Sequence, residues 1–191
     1  MKPEIPTIEG LTREQVLTLV NCRGLKQYTA MVSDYQARKC PFCDPLDPKN
    51  AILRETANWR LWKNPFPLKN TSLHVILATK VHPWQGNILW SELWGEVGVL
   101  FSWARDEFKI PGGAFAFRFG SPEFNAGSVL HLHANIIVPD GTGQVRITLA
   151  KEPSEVETAT RRMHVFEKMR LGVKFEEIEL AEQELVKDRL G

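Results

Sequence analysis

The sequence predicts an α+β fold: an antiparallel sheet of about five strands with a long helix packed on it, plus N- and C-terminal helical extensions. Three observations lead there. Residues 89–108 place Leu89, Trp90, Leu93, Trp94, Val97, Leu100, Phe101, Ala104 and Phe108 at helical spacing, on a face broad enough to cover a sheet. Short alternating or apolar runs flank that helix: NWRLWK (58–63), LHVILAT (73–79), AFAFRFG (114–120) and SVLHLHANIIV (128–138). A DGTG hairpin signal at 140–143 then leads into QVRITLA (144–150), read as a further strand.

The remaining elements follow from local chemistry. LTREQVLTLV opens with a Thr and a Glu suited to helix capping, and a mostly helical stretch runs to about Arg38. CPFCDPLDPKN (40–50) carries three prolines and a close cysteine pair, and reads as a turn-rich knuckle. NPFP ends the first strand, and PGG at 111–113 breaks the long helix. Amphipathic stretches at about 154–170 and 174–190 finish the chain as helices. Apolar Val156, Ala159, Met163 and Phe166 need a partner, either their own core or a second copy of the chain. No repeat or internal boundary stands out, so 1–191 reads as one domain. Residues 1–39 form its helical extension, 40–139 its core, and 140–191 its final strand and helices.

Composition narrows the function classes. The chain has 43% hydrophobic and 25% charged residues, and Lys and Arg exceed Asp and Glu by a single charge. No bulk field advertises nucleic acid, and no apolar run approaches a membrane span. The N-terminus MKPEIPTIEG lacks the charged-then-apolar pattern of a secretory signal. Three cysteines make no disulfide framework, which points to a reducing, cytoplasmic setting.

The chemistry concentrates in two places. Along SVLHLHANIIV, His131, His133 and Asn135 alternate with Leu132 and Ala134, so a strand would put all three on one face. Imidazole is the side chain that is largely neutral yet nucleophilic near neutral pH. A polar strand face or a pair of hydrogen-bonded core histidines would give the same pattern. Just upstream, NAGS (125–128) offers Gly127 for close backbone approach and the Ser128 hydroxyl, a small-residue stretch able to cradle an anion or simply to turn. In C-P-F-C, Cys40 and Cys43 have the spacing of two ligands of a tetrahedral zinc. A redox pair should open a helix after a strand, whereas Asp-Pro follows here. With no second CxxC, the remaining ligands should be histidines, drawn from His74, His82, His131, His133 and His164.

These segments together resemble the histidine triad (HIT) superfamily. HLHANII looks like its His-φ-His-φ-His-φ-φ signature with Asn135 at the third place, and NAGSVLHLHAN is similar to the Ser-x-x-His-x-His-x-Gln segment of the transferase branch. That branch includes galactose-1-phosphate uridylyltransferase and dinucleoside tetraphosphate phosphorylases. NPFPLKNTSLHVILATKVH resembles the family's upstream Asn-x-x-Pro and histidine segment, and CPFC its cysteine pair; the likeness spans about residues 40–139.

The resemblance implies a HIT-like fold and a nucleotidyl transferase or phosphorylase. In it, His133 attacks the α-phosphorus of a nucleotide or dinucleotide, with hydrolysis by the same intermediate as the runner-up. It further implies a structural zinc on Cys40, Cys43, His82 and His131. His74 would order the triad from the neighbouring strand, and Asn135 would donate a neutral hydrogen bond to phosphate. Asn64 would hold the ribose hydroxyls, and Gly127 and Ser128 the phosphate. A homodimer is implied as well. A different class remains open: a non-catalytic, zinc-stabilised nucleotide-binding module, suggested by the substituted triad and the extra helices.

Overall fold

The computed structural model describes residues 19–37, 39–43, 50–82, 90–119 and 122–190. The elements, in order, are α1 (Leu25–Gln36), β1 (Ile52–Glu55), β2 (Trp59–Lys63), β3 (Thr71–Thr79), α2 (Trp90–Glu107), β4 (Ala114–Arg118), the single turn α3 (Pro122–Asn125), β5 (His133–Pro139), α4 (Pro153–Arg170) and α5 (Leu180–Val186). Short 3-10 turns lie at Phe175–Glu177 and Lys187–Arg189. Of the mostly helical stretch expected from Leu11 to about Arg38, the part before Leu19 falls outside the described residues, as does Leu89; within the rest, residues 20–24 are non-helical and the helix after them is confined to α1. No described helix is long and apolar enough to cross a membrane.

The chain forms two compact units. One comprises Pro41–Gly120 and His131–Ile147; the other comprises Met1–Cys40, Ser121–Leu130 and Thr148–Gly191.

The first unit is the expected sheet, antiparallel throughout, in the order β1-β2-β3-β5-β4. Its period-two alternation sorts the side chains cleanly. On one face Trp59, Leu61, Val75, Leu77, Ala134, Ile136 and Val138 meet Leu93, Val97, Leu100 and Ala104 of α2 in the main core. On the other face Trp62, Ile76 and Ala78 form a smaller cluster against Phe42 and Ile52. The apolar stripe read from the helix and the apolar positions of the strands are therefore two sides of one interface. Gly113 lets β4 begin tight against β5, because a Cβ there would stand 2.4 Å from the Ile137 carbonyl oxygen.

Five strands were expected and five are present, but the sets differ by one. QVRITLA is not a strand: 144–150 is irregular, and no strand of the sheet pairs with it. The fifth place belongs to Ile52–Glu55, too short and too charged to alternate visibly, which pairs with β2 as an edge. β5 begins only at His133, so His131 precedes the strand that was expected to carry it.

The second unit is helical. Tyr28, Met31 and Val32 of α1 and Ala159, Met163 and Phe166 of α4 are buried in it. The Tyr28 and Phe166 rings lie 5.8 Å apart, and Tyr28 Oη donates to Glu167 Oε2 at 2.9 Å. The apolar residues of α4 thus find their partner within the same chain. α4 starts at Pro153 and is closed by a reciprocal capping box between Glu152 and Glu155.

Candidate metal centre

The cysteine knuckle is fastened to the sheet by three contacts. Phe42 stands edge-on to Trp62 with ring centroids 5.3 Å apart. Arg60 Nη1 donates to the Cys43 carbonyl at 3.2 Å, and buried Asn50 donates its amide to the Pro41 carbonyl. Phe42 also meets the rings of His131 and His133 edge-on, at 5.7 and 5.3 Å. The turn-rich composition of CPFCDP therefore places thiols beside histidines contributed from elsewhere in the chain.

Cys40, Cys43, His82 and His131 each offer one ligand atom, and these atoms all lie within 4.8 Å of one another. A tetrahedral zinc with bonds of about 2.0–2.3 Å separates its donors by roughly 3.3–3.8 Å, so a small contraction closes the group on the ion. Cys43 Sγ is already 3.6 Å from His131 Nδ1, and the His82 and His131 rings stand 4.3 Å apart.

The tautomer of His131 is settled by its neighbours. Its Nε2–H donates to the Thr79 carbonyl at 2.7 Å, with the Thr79 hydroxyl 3.0 Å away. Nδ1 is left with its lone pair on the thiol side. Fixing the far nitrogen of a ligand ring in this way orients it and raises its basicity toward metal. Burial pushes the His131 pKa down to about 3, against the pull of the Thr79 carbonyl and with help from His82; His82 is lowered by burial too. Both rings are neutral at pH 7, the form that binds metal. Two thiols and two neutral imidazoles match zinc, and four protein ligands fill its coordination shell.

The remaining predicted residues of the sheet unit lie on the same sheet face. His133 is 7% exposed, and its Nδ1–H donates to the His131 carbonyl at 2.6 Å. Burial pushes its pKa down to about 4, opposed by that hydrogen bond and aided by Arg118, which lies opposite it in register on β4. His74 Nδ1 accepts the Leu68 N–H at 3.1 Å, so Nε2 carries the proton and donates to Asn135 Oδ1 at 2.9 Å. Asn64 Oδ1 accepts the Phe66 N–H at 2.8 Å, and its Nδ2 sits 3.2 Å from His74 Nε2.

Gly127 and Ser128 belong to the helical unit. There the Ser128 hydroxyl accepts from Gln27 Nε2 at 2.8 Å, its carbonyl accepts from Tyr35 Oη at 3.0 Å, and the Gly127 carbonyl accepts from Asn21 Nδ2 at 2.9 Å.

This arrangement corrects the expectation of a nucleotidyl transferase or phosphorylase, and of a hydrolase acting through His133. The first histidine of HLHAN is drawn into a closed group of two cysteines and two histidines, which suits a structural zinc. The third place holds an amide whose oxygen already accepts from His74. What the motif builds is a metal group with a hydrogen-bonded amide beside it, not a run of imidazoles around a reacting phosphorus. Thr79, which orients His131, was missed in the sequence; its one signal was a hydroxyl closing the apolar run Val75-Ile76-Leu77-Ala78.

No protein-family model matches the chain, and no curated protein matches it. Solved structures do. A Hit-like protein involved in cell-cycle regulation from Bartonella henselae is 13% identical, with a TM-score of 0.39 over 61% of this chain and 86% of that one. A hypothetical protein from Leishmania major is 21% identical, with a TM-score of 0.44 over 69% and 99%. A Zn-bound histidine triad family protein from Mycobacterium smegmatis is 18% identical, with a TM-score of 0.42 over 72% and 99%. The solved structures similar to this chain thus include histidine triad proteins.

Proposed function

We propose that the chain is a zinc-stabilised binding module of the histidine triad type that holds a nucleotide without transforming it. The observation that carries this reading is the group of two thiols and two imidazoles with its donor atoms within 4.8 Å. A four-ligand metal is a staple, since a catalytic zinc keeps a position open. The nucleotide class rests on the resemblance of the segments around Asn64, His74 and HLHAN, of which His74, His133 and Asn135 share the sheet face opposite the main core. A pair of thiols kept for metal supports residence in a reducing compartment such as the cytoplasm. Phe115 and Phe119, exposed at and just beyond the outer strand β4, support pairing of two copies along that edge, which sedimentation would test.

The main test joins two measurements on the purified protein. Zinc content should be close to one per chain, and titration with mononucleotides and dinucleoside polyphosphates should give binding heat with no product. A metal-free native protein would overturn the zinc assignment. Steady product formation, or a phosphohistidine trapped at His133, would overturn the non-catalytic one.

A further inference from the structure

The helical unit carries a group of cations that the metal centre does not use. Lys151 precedes α4, Arg162 lies within α4, and Arg189 lies in the last 3-10 turn. Lys151 Nζ donates to the Val20 carbonyl at 2.9 Å and to Asn21 Oδ1 at 2.6 Å. Arg189 Nη1 donates to the Arg23 carbonyl at 3.1 Å, and Arg162 Nε to the Leu185 carbonyl at 3.1 Å. All three side chains are half-buried, and every one of these acceptors is neutral. Arg162 and Arg189 stand close enough to repel each other, and both repel Lys151. Glu155 attracts Lys151 from a distance, but among the described residues no carboxylate comes within ion-pair range of any of the three.

Gathering like charges in a partly desolvated place is unfavourable, and the usual remedy is an acid among them. Here the described residues supply carbonyls, an amide and the nearby buried Cys22 thiol, and no carboxylate in ion-pair range. Among the described residues each guanidinium hydrogen-bonds through one nitrogen, which leaves further N–H groups able to meet a ligand. Two planar forks and one point charge suit the oxygens of a tetrahedral dianion. We propose that Lys151, Arg162 and Arg189 form a binding site for a phosphate group, either free phosphate or a phosphate monoester. The crowding of charge shows in Lys151, whose pKa is brought down to about 8, chiefly by burial and then by Arg162. The site is separate from the zinc-centred reading and stands or falls without it.

The test uses zinc-loaded protein and trace acetylation at pH 8, with each lysine followed by mass spectrometry. Lys151 should react fast in sodium chloride. At matched ionic strength, inorganic phosphate or glycerol phosphate should slow it about fivefold, the change that a one-unit rise in pKa produces in a group already half deprotonated, while exposed Lys69 and Lys174 keep their rates. Protection by inorganic phosphate alone would identify the free ion, and stronger protection by glycerol phosphate would identify an ester. Arg162→Gln with Arg189→Gln should abolish protection, and Arg162→Lys with Arg189→Lys should keep part of it should the first pair fold poorly. Equal Lys151 rates in phosphate and chloride would overturn the site, as would protection that survives the double glutamine variant.

Discussion

The Thr79 carbonyl accepts the Nε2 proton of His131 at 2.7 Å, and that one hydrogen bond turns Nδ1 into the atom that faces Cys43 Sγ at 3.6 Å. The last residue of β3 thereby sets the tautomer of a ring 52 positions later in the chain. Antiparallel pairing of β3 with β5, which sets Ala78 opposite His133, brings the two together. Sheet register is the link between the apolar pattern of the sequence and the metal chemistry of the site.

Removing a ligand should remove the metal. Cys43→Ser or His131→Ala is expected to drop zinc from about one per chain to a small fraction. The melting temperature should fall by at least ~5 °C, because the metal's binding energy is part of the folding energy. Thr79→Val keeps the carbonyl and loses only the hydroxyl, so zinc should stay bound with affinity weakened about tenfold. Competition with a chromophoric chelator reads both. Full zinc in Cys43→Ser would show that the ligands are misassigned.

Acid should destabilise the protein through the same face. His131 and His133 have folded pKa values of about 3 and about 4, both depressed mainly by burial. An unfolded histidine titrates near 6.5, so below that pH the unfolded chain binds protons that the folded chain refuses. Stability is fully present above about pH 6.5 and is lost as pH falls toward the folded values. The loss is at most roughly 1.4 kcal/mol per pH unit for each ring. Urea denaturation of chelator-treated protein at several pH values between 7 and 4.5 measures the slope. His133→Phe should flatten it by about one proton, and an unchanged slope would contradict the buried, neutral ring.

Much of this was legible beforehand, and what was not has physical causes. The stripe from Leu93 to Ala104, the alternation in NWRLWK and the continuous apolar run of LHVILAT announced the helix-covered sheet, because burial on one face imposes a period and burial on both imposes a run. Cys40, Cys43, His82 and His131 were brought together by resemblance, since ligands from separate segments meet only through tertiary register. ILRE at 52–55 escaped notice because only Ile52 is half-buried and Leu53, Arg54 and Glu55 are exposed, so no buried face imposes an alternation. QVRITLA shows the converse: Val145, Ile147 and Leu149 alternate well, yet 144–150 pairs with neither edge strand of the sheet. Alternation reports what a segment would bury, not whether a neighbour is there to bury it.

The amide at 135 is expected to matter for the fold through His74. Asn135→Leu takes away the oxygen that accepts the His74 Nε2 proton at 2.9 Å, within a pair that is buried on both sides. Stability should fall by about 1–3 kcal/mol, the cost of losing a buried acceptor. Pairing it with His74→Phe should restore part of that, since both polar partners are then gone. A double-mutant cycle measured by denaturation gives the coupling, and strict additivity of the two changes would mean the hydrogen bond contributes nothing.

A carboxylate on the helix ties the covering layer to the strand ends beneath the metal centre. Glu96 of α2 accepts the backbone N–H of Asn58 at 2.8 Å, and its second oxygen accepts the Asn58 side-chain amide. The Asn58 carbonyl in turn accepts the N–H of Lys80, one residue beyond Thr79. Glu96→Ala breaks two charge-assisted hydrogen bonds and should lower stability by about 1–3 kcal/mol. Glu96→Gln retains an acceptor without the charge and should lose roughly half as much. Because the Thr79 carbonyl is held separately by β3, zinc affinity should stay within about threefold of the parent in both variants. Chemical denaturation and chelator competition on the same samples decide it. A large loss of zinc in Glu96→Gln would mean that the helix-to-turn contact, rather than the register of β3 and β5, is what positions His131.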